Sequence, residues 1–408
     1  MHALRSPIAI FRRIAALARR PVFQAVTFYI LARLISMDVF LAVARQLRGV
    51  RMMSGGAFRL WEPALLRWDA VYYASIAQIG YPARLPVGPD GQVMPNTWAF
   101  FPAFPAAAAA ATRITGLPFV WTAMALNLVA GAVVAGSLAA LVRPVAGDRV
   151  AIRAATLWAF LPTAFLLHLP YSEPLHLGFA AACLVAVVRG RTILAALLLV
   201  GAALSRGAAL PLAAAVAARV VIDLRLAWAG RSTAMPRHTP WLRAAVVLVV
   251  AVVAPWAWML VAWQLTGRLD AVAASQGAWG IRADPAALVA AWRAAIGHDG
   301  LSLLLNPSVI VLACVAGLTV GCLGQSRIPL ELKIYTVVAT SLVFAVAQPG
   351  AVAFGSVPRF AFAILTLPIV LAIWLRRSWP VGLVVIGCTW LQYLWVLNVW
   401  SGRIGVAP

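Results

Sequence analysis

Runs of about 20 apolar residues recur along the whole chain, and each is long enough to cross a hydrocarbon layer about 30 Å thick. No water reaches the backbone inside such a layer, so every N–H and C=O needs a partner within the protein. In lipid such runs must therefore be helices. With 63% hydrophobic and 11% charged residues, the chain lacks the polar surface of a soluble domain of 408 residues. The expectation is an all-α polytopic membrane protein with about 11 transmembrane helices, within a range of about 8–12.

Basic clusters between the runs orient them. Arg5, Arg12, Arg13, Arg19 and Arg20 precede the first span (22–46), which places the N-terminus in the cytoplasm. The later spans read as 118–142, 151–168, 174–189, 192–205, 208–222, 244–265, 303–323, 332–347, 360–375 and 379–399. Residues 48–116 form a long first external loop with two surface helices, at 61–80 and 100–116. Residues 266–302 form a second external region, and Ser356-Val357-Pro358-Arg359-Phe360 sits in a third. Residues 1–21 are a basic cytoplasmic tail, and residues 1–408 make one integral-membrane domain. Residues 1–46 share features with a signal peptide, including Ala42-Val43-Ala44, but the apolar run is too long and carries Arg33 and Asp38; an uncleaved helix is expected.

The net charge of +22 follows this clustering and implies topology, not nucleic acid. Cys183, Cys314, Cys322 and Cys388 lie within apolar runs and read as small buried hydrophobes. The chain contains no H-E-x-x-H, no D-x-D, no phosphate-binding glycine loop and no dinucleotide fingerprint. No cofactor is expected, and a divalent metal has no motif behind it.

Only 11 acidic residues face 33 basic ones. Asp69, in the loop run RWDAVYYASIAQIGYP (67–82), is therefore a scarce group at a membrane edge. It could cap the helix beginning at residue 70, pair with Arg67 or Arg84, or do chemistry. Under the threading above, the other conspicuous polar groups reach the same outer face. Glu173 lies in Tyr171-Ser172-Glu173-Pro174, where a helix dipole would favour it. Arg206 breaks the chain between two short spans, and Arg359 follows in the third loop; both could simply snorkel. Gln276 and Trp279 lie in the second external region. Trp61, Trp68, Tyr72, Tyr73, Tyr81 and Trp98 suit an interfacial aromatic belt. Glu173 and His176, spaced i,i+3, with His168 across a turn, form a weak metal set. A charge inside hydrocarbon costs about 2.5–3.5 kcal/mol on insertion scales, and gathering these groups at one face avoids that cost.

Five segments in order resemble the PIG-V family of membrane mannosyltransferases, in its bacterial branch, within the GT-C superfamily. They are RWDAVYYASIAQIGYP (67–82), AFFPAFP (99–105), LPYSEPLH (169–176), LSRGAALPL (204–212) and SVPRFAFAILTLP (356–368). The stretch ARLPVGPDGQVMPNTW (83–98) departs from the family's acidic or His-bearing pattern, which bears on acceptor recognition. The resemblance implies a GT-C-like fold, a catalytic Asp corresponding to Asp69, and a polyprenyl-phosphate-mannose donor entering from the outer leaflet of the plasma membrane. It implies inverting transfer to an extracytoplasmic lipid, glycan or protein acceptor. Arg206, Arg359 and, more weakly, Arg67 become the cations for the donor phosphate. Glu173, Trp68, Tyr72, Tyr171, Gln276 and Trp279 become positioning groups for sugar or acceptor. The rival expectations are a transporter or flippase for a lipid-linked sugar, which would use intramembrane charges such as Arg33 and Asp38, and a non-catalytic assembly partner.

Overall fold

The computed structural model describes residues 20–51, 65–229, 240–280, 284–350 and 355–401. Arg5, Arg12, Arg13, Arg19, Trp61, Arg231 and Arg237 lie outside the described residues. Within them the secondary structure is helical, apart from one antiparallel bridge between Val87 and Val93. The all-α expectation holds.

The first helix is α1 (Pro21–Arg51). The external region that follows carries α2 (Asp69–Ile79), a 3-10 turn at Thr97–Ala99 and α3 (Ala103–Thr115). Next come α4 (Phe119–Ala146), α5 (Asp148–Phe160), a 3-10 segment at Pro162–Leu167, α6 (Glu173–Val188), α7 (Thr192–Ser205) and α8 (Leu210–Trp228). Then α9 (Pro240–Val253) and α10 (Ala257–Thr266) meet across a 3-10 turn at Ala254–Trp256, followed by α11 (Ala271–Ala278) and α12 (Pro285–Leu304). The last are α13 (Pro307–Gly324), α14 (Leu330–Val346), α15 (Val357–Phe362), α16 (Leu367–Trp374) and α17 (Ser378–Trp400). Among the described residues, five helical segments are long and apolar enough to cross a membrane: Pro21–Gln46, Phe119–Ala146, Trp241–Thr266, Pro307–Gly324 and Ser378–Trp400. α6 and α7 are apolar but shorter.

Two expected spans are interrupted by non-helical residues. The third (151–168) stops at Phe160, because Pro162 has no N–H to continue the ladder. Arg33 of α1 donates to the carbonyls of Ala159 (2.6 Å) and Ala164, so the groups freed by the break are satisfied from a neighbouring helix. The tenth (360–375) divides into α15 and α16. There the Tyr335 hydroxyl of α14 donates to Ala363 O (3.0 Å), and Thr336 and Thr366 share a hydrogen bond of 2.7 Å. Arg33, one of the charges the transporter reading relied on, is therefore a buried structural ligand of backbone carbonyls.

The largest core runs through α1, α4–α9 and α13–α17, and Tyr29, Leu138, Trp158, Leu184 and Leu199 are among its fully buried side chains. Lipid tails provide no hydrophobic drive between helices, so close packing must hold them together. Small residues permit it. A Cβ at Gly178 would stand 3.2 Å from the Ala130 carbonyl, and Gly131 leaves room for the Tyr29 ring. This packing brings the N-terminus of α6 beside the α7–α8 link and the α2 region.

Candidate functional site

Asp69 is the first residue of α2, and Trp68 before it occupies the cap position with no side-chain cap hydrogen bond. The expectation of Asp69 as a helix cap is thus overturned. Its carboxylate points away from its own helix, to Arg359, with Nη2 of Arg359 2.5 Å from Oδ2. Neither Arg67 nor Arg84 takes the pairing role. Trp68 has φ 51° and is the only non-glycine residue with positive φ among the described residues. A bulky side chain in that region is strained, at a cost of order 1–3 kcal/mol, and such strain persists where surrounding contacts enforce it. Those contacts are the Trp400 ring, edge-on at 4.9 Å, and the Arg67 guanidinium over the indole at 5.1 Å.

Arg359 lies in α15 and donates from both Nε and Nη2 to Oε1 of Glu173, at the start of α6. Arg206, the residue between α7 and the turn that leads to α8, donates to the same oxygen over 2.8 Å. Four sequence-nominated charges therefore converge, two carboxylates with two guanidiniums. Charges buried this deeply persist only when paired and hydrogen-bonded. The members differ in access. Arg359 and Glu173 keep 7% and 6% of their side-chain surface, whereas Asp69 and Arg206 keep 24% and 22%. A buried pair at the centre thus presents one carboxylate and one cation to the outside.

The turn holding Glu173 is pinned by Asn127, Ser172 and Tyr73; Tyr73, expected in an interfacial belt, is instead buried here. Asn127 of α4 donates to the carbonyls of Leu169 (2.6 Å) and Tyr171 (3.1 Å). Ser172 shares a hydrogen bond of 2.6 Å with the Tyr73 hydroxyl, and Arg206 reaches the same Oγ at 3.3 Å. A lone buried Asn inside an apolar span was the available signal for the first. For Ser172 and Tyr73 there was none beyond membership of their motifs. The Arg359 guanidinium lies over the Tyr171 ring at 5.0 Å, and the Tyr171 hydroxyl lies 3.5 Å from the Arg67 carbonyl.

An aromatic wall adjoins the cluster. Tyr72 stacks on Phe100 at 5.0 Å and meets Trp279 edge-on at 4.9 Å. Burial, then the neighbouring charge of Asp69, pushes the Tyr72 phenol above its ordinary pKa. Trp279 and Ser275 fasten the second external region to Asn96 of the first, through bonds of 3.3 and 3.1 Å. Gln276 joins this side of the site, its Nε2 lying 4.0 Å from where a Cβ on Gly207 would stand. Trp98 and Tyr81 do not form an interfacial belt; they pack with Trp258 at 5.3 and 4.8 Å, and Trp98 is fully buried.

Arg67 stays exposed and outside the ion-pair cluster. The weak metal set does not assemble. His176 Nδ1 faces the Ala202 carbonyl at 3.0 Å, Glu173 Oε1 is held by two arginines, and no metal-holding group of three His, Cys, Asp or Glu occurs among the described residues.

No protein-family model matches the chain, and no curated protein matches it, so the resemblance to the PIG-V family stands on the quoted motifs alone. Among solved structures, the chain is similar to the Archaeoglobus fulgidus oligosaccharyltransferase in complex with zinc and sulfate, at 15% identity, covering 88% of this chain and 52% of that one with a TM-score of 0.43. The archaeal oligosaccharyltransferase AglB from Archaeoglobus fulgidus, in complex with an inhibitory peptide and a dolichol-phosphate, matches at 13% identity, covering 89% of this chain and 55% of that one with a TM-score of 0.43. The chain spans about half the length of these structures.

Proposed function

We propose that this protein is a plasma-membrane glycosyltransferase of the GT-C type. It transfers mannose from polyprenyl-phosphate-mannose to an extracytoplasmic lipid, glycan or protein acceptor, with inversion. The observation that carries the reading is the asymmetric exposure of the four-charge cluster: Asp69 and Arg206 face outward from a buried Arg359–Glu173 pair.

The chemistry requires that pairing of exposed groups. An acceptor hydroxyl attacks the anomeric carbon, and the carbon–oxygen bond to the donor phosphate breaks on the opposite side. The hydroxyl proton passes to the Asp69 carboxylate. The phosphate leaves with the bonding electrons, and because its second pKa is near 6 it needs no general acid. One base suffices, in contrast to the paired carboxylates of glycosidases. The charge developing on the phosphate needs a cation, and Arg206 offers a fork with exposed donors. Arg359 supports Asp69 and joins Arg206 on the donor phosphate, and Glu173 holds both arginines. Arg67 stands nearby as a third cation. Trp68, Tyr72, Gln276 and Trp279 border the cluster, where ring faces suit a sugar, and Tyr171, fully buried, positions the Arg359 guanidinium from beneath. With the N-terminus in the cytoplasm, this cluster faces the outer leaflet.

The test is transfer from radiolabelled polyprenyl-phosphate-mannose in membranes carrying Asp69→Asn. Loss of transfer by a folded variant is expected. Undiminished transfer would overturn the proposal.

A further inference from the structure

A second feature lies at the far end of the molecule and is independent of the glycosyl-transfer reading. A cavity of about 640 Å³ opens where the α4–α5 junction, the α13–α14 link and the end of α16 meet. Asn127, which pins the candidate site, and Ala146, which lines this cavity, sit on the same helix. At 1.5 Å per residue they are about 30 Å apart, one hydrocarbon thickness. The cavity therefore belongs to the membrane face opposite Asp69, which is the cytoplasmic face in the charge-based topology.

Its lining is amphipathic. Arg327 and Arg376 supply two exposed guanidiniums, Gln325 and Ser326 supply an amide and a hydroxyl, and Ile373 and Trp374 supply an apolar wall. The nearby carboxylate of Asp148 is already engaged by Arg143 at 2.9 Å, so it does not neutralise the cavity. The walls are built. Arg153 of α5 donates to the carbonyls of Leu375 (3.0 Å) and Arg376 (2.8 Å), which fixes the end of α16. Gly321 has no Cβ where the Trp374 ring lies against α13. Trp374 remains 48% exposed and Trp379 beyond it 63%, so the apolar wall continues onto the exposed surface.

We propose that this cavity binds the headgroup of an anionic glycerophospholipid. The two guanidiniums and Ser326 take the phosphodiester, and Trp374 with Ile373 takes the glycerol and upper acyl region. The volume suits a headgroup-sized ligand. Paired cations serve a phosphate oxygen fork, a tryptophan belongs at headgroup level, and the cytoplasmic leaflet is the anionic one.

The test titrates phosphatidylglycerol into the full-length chain in detergent and reads retained lipid by native mass spectrometry and the thermal midpoint. Wild type should keep one phosphatidylglycerol and melt higher with it. The Arg327→Ala/Arg376→Ala variant should bind at least tenfold more weakly, while Arg113→Ala, at the other face, should bind as wild type does. Because both arginines are exposed, the double variant should fold, and its lipid-free thermal midpoint checks this. Equal binding by the double variant would overturn the proposal. So would equal retention of phosphatidylcholine, which would show that charge is not read, or displacement by equimolar inorganic phosphate, which would show a free-anion site.

Discussion

Arg359 holds Asp69 across 290 positions of sequence, with Nη2 of the guanidinium 2.5 Å from Oδ2 of the carboxylate. The same guanidinium also binds Glu173, so one arginine sets the separation of two carboxylates that come from different helices. The geometry around Asp69 is therefore a tertiary property, and its consequences are testable one residue at a time.

Asp69→Asn keeps the shape of the side chain and removes its capacity to accept a proton. Transfer should fall by roughly 10²–10⁴-fold, the usual contribution of a general base. The loss should appear in kcat, with the KM for donor little changed. Steady-state kinetics on purified protein separates the two parameters, and a shift confined to KM would assign Asp69 to binding.

Arg359→Lys preserves charge but loses the planar fork that serves two carboxylates at once. Displacing a base by even an ångström costs about 10²-fold, so a comparable fall in kcat is expected from a protein that still folds. Arg359→Ala should be worse in a different way. It removes the more buried of the two guanidiniums on Glu173 and leaves Arg206 on the same oxygen at 2.8 Å, so the loss should approach, without exceeding, the about 3–5 kcal/mol of a fully broken buried pair. A melting curve should show a large loss of stability for alanine and a small one for lysine.

Arg206→Ala should weaken donor binding. A hydrogen bond to a charged group contributes about 1.5–3 kcal/mol, which corresponds to roughly ten- to a hundredfold in affinity. Inhibition by free polyprenyl phosphate should weaken in parallel, and Arg206→Lys should recover part of it. If inhibition were unmoved, the cation would belong to the Glu173 scaffold alone.

Trp400→Ala removes the ring that braces Trp68 in its strained conformation. Asp69, the next residue, should lose its fixed position, and kcat should drop several-fold while donor affinity holds. Trp400 lies at the end of the last described helix, far from Asp69 in the chain, so an effect confined to kcat would report positioning through Trp68.

Arg33→Leu should damage stability without any selective kinetic signature. Two buried carbonyls, of Ala159 and Ala164, lose their donor, at about 1–3 kcal/mol for each unpaired group. Thermal denaturation in detergent measures this. A normal melting point with abolished solute movement in liposomes would revive the transporter reading.

Membrane class and the all-helical architecture were legible in the residues alone, because hydropathy is local and the absence of water in a bilayer leaves a long apolar run no alternative to a helix. The chain break at Ser205-Arg206-Gly207 was legible for the same reason, as was the nomination of Asp69, Glu173, Arg206 and Arg359: charges are too few here to pass unnoticed. Their arrangement was not. Local rules made Asp69 a helix cap, whereas packing of α6 and α15 against the α2 region turned its carboxylate toward Arg359. Hydropathy likewise counted 151–168 and 360–375 as spans. Only the neighbouring Arg33 and Tyr335 let those helices break where they do, because they satisfy the backbone groups that each break exposes. A run of side chains can state that it must be helical. Which distant side chain completes an ion pair or satisfies a broken turn depends on how the helices stack, and that is decided only when the whole bundle is packed.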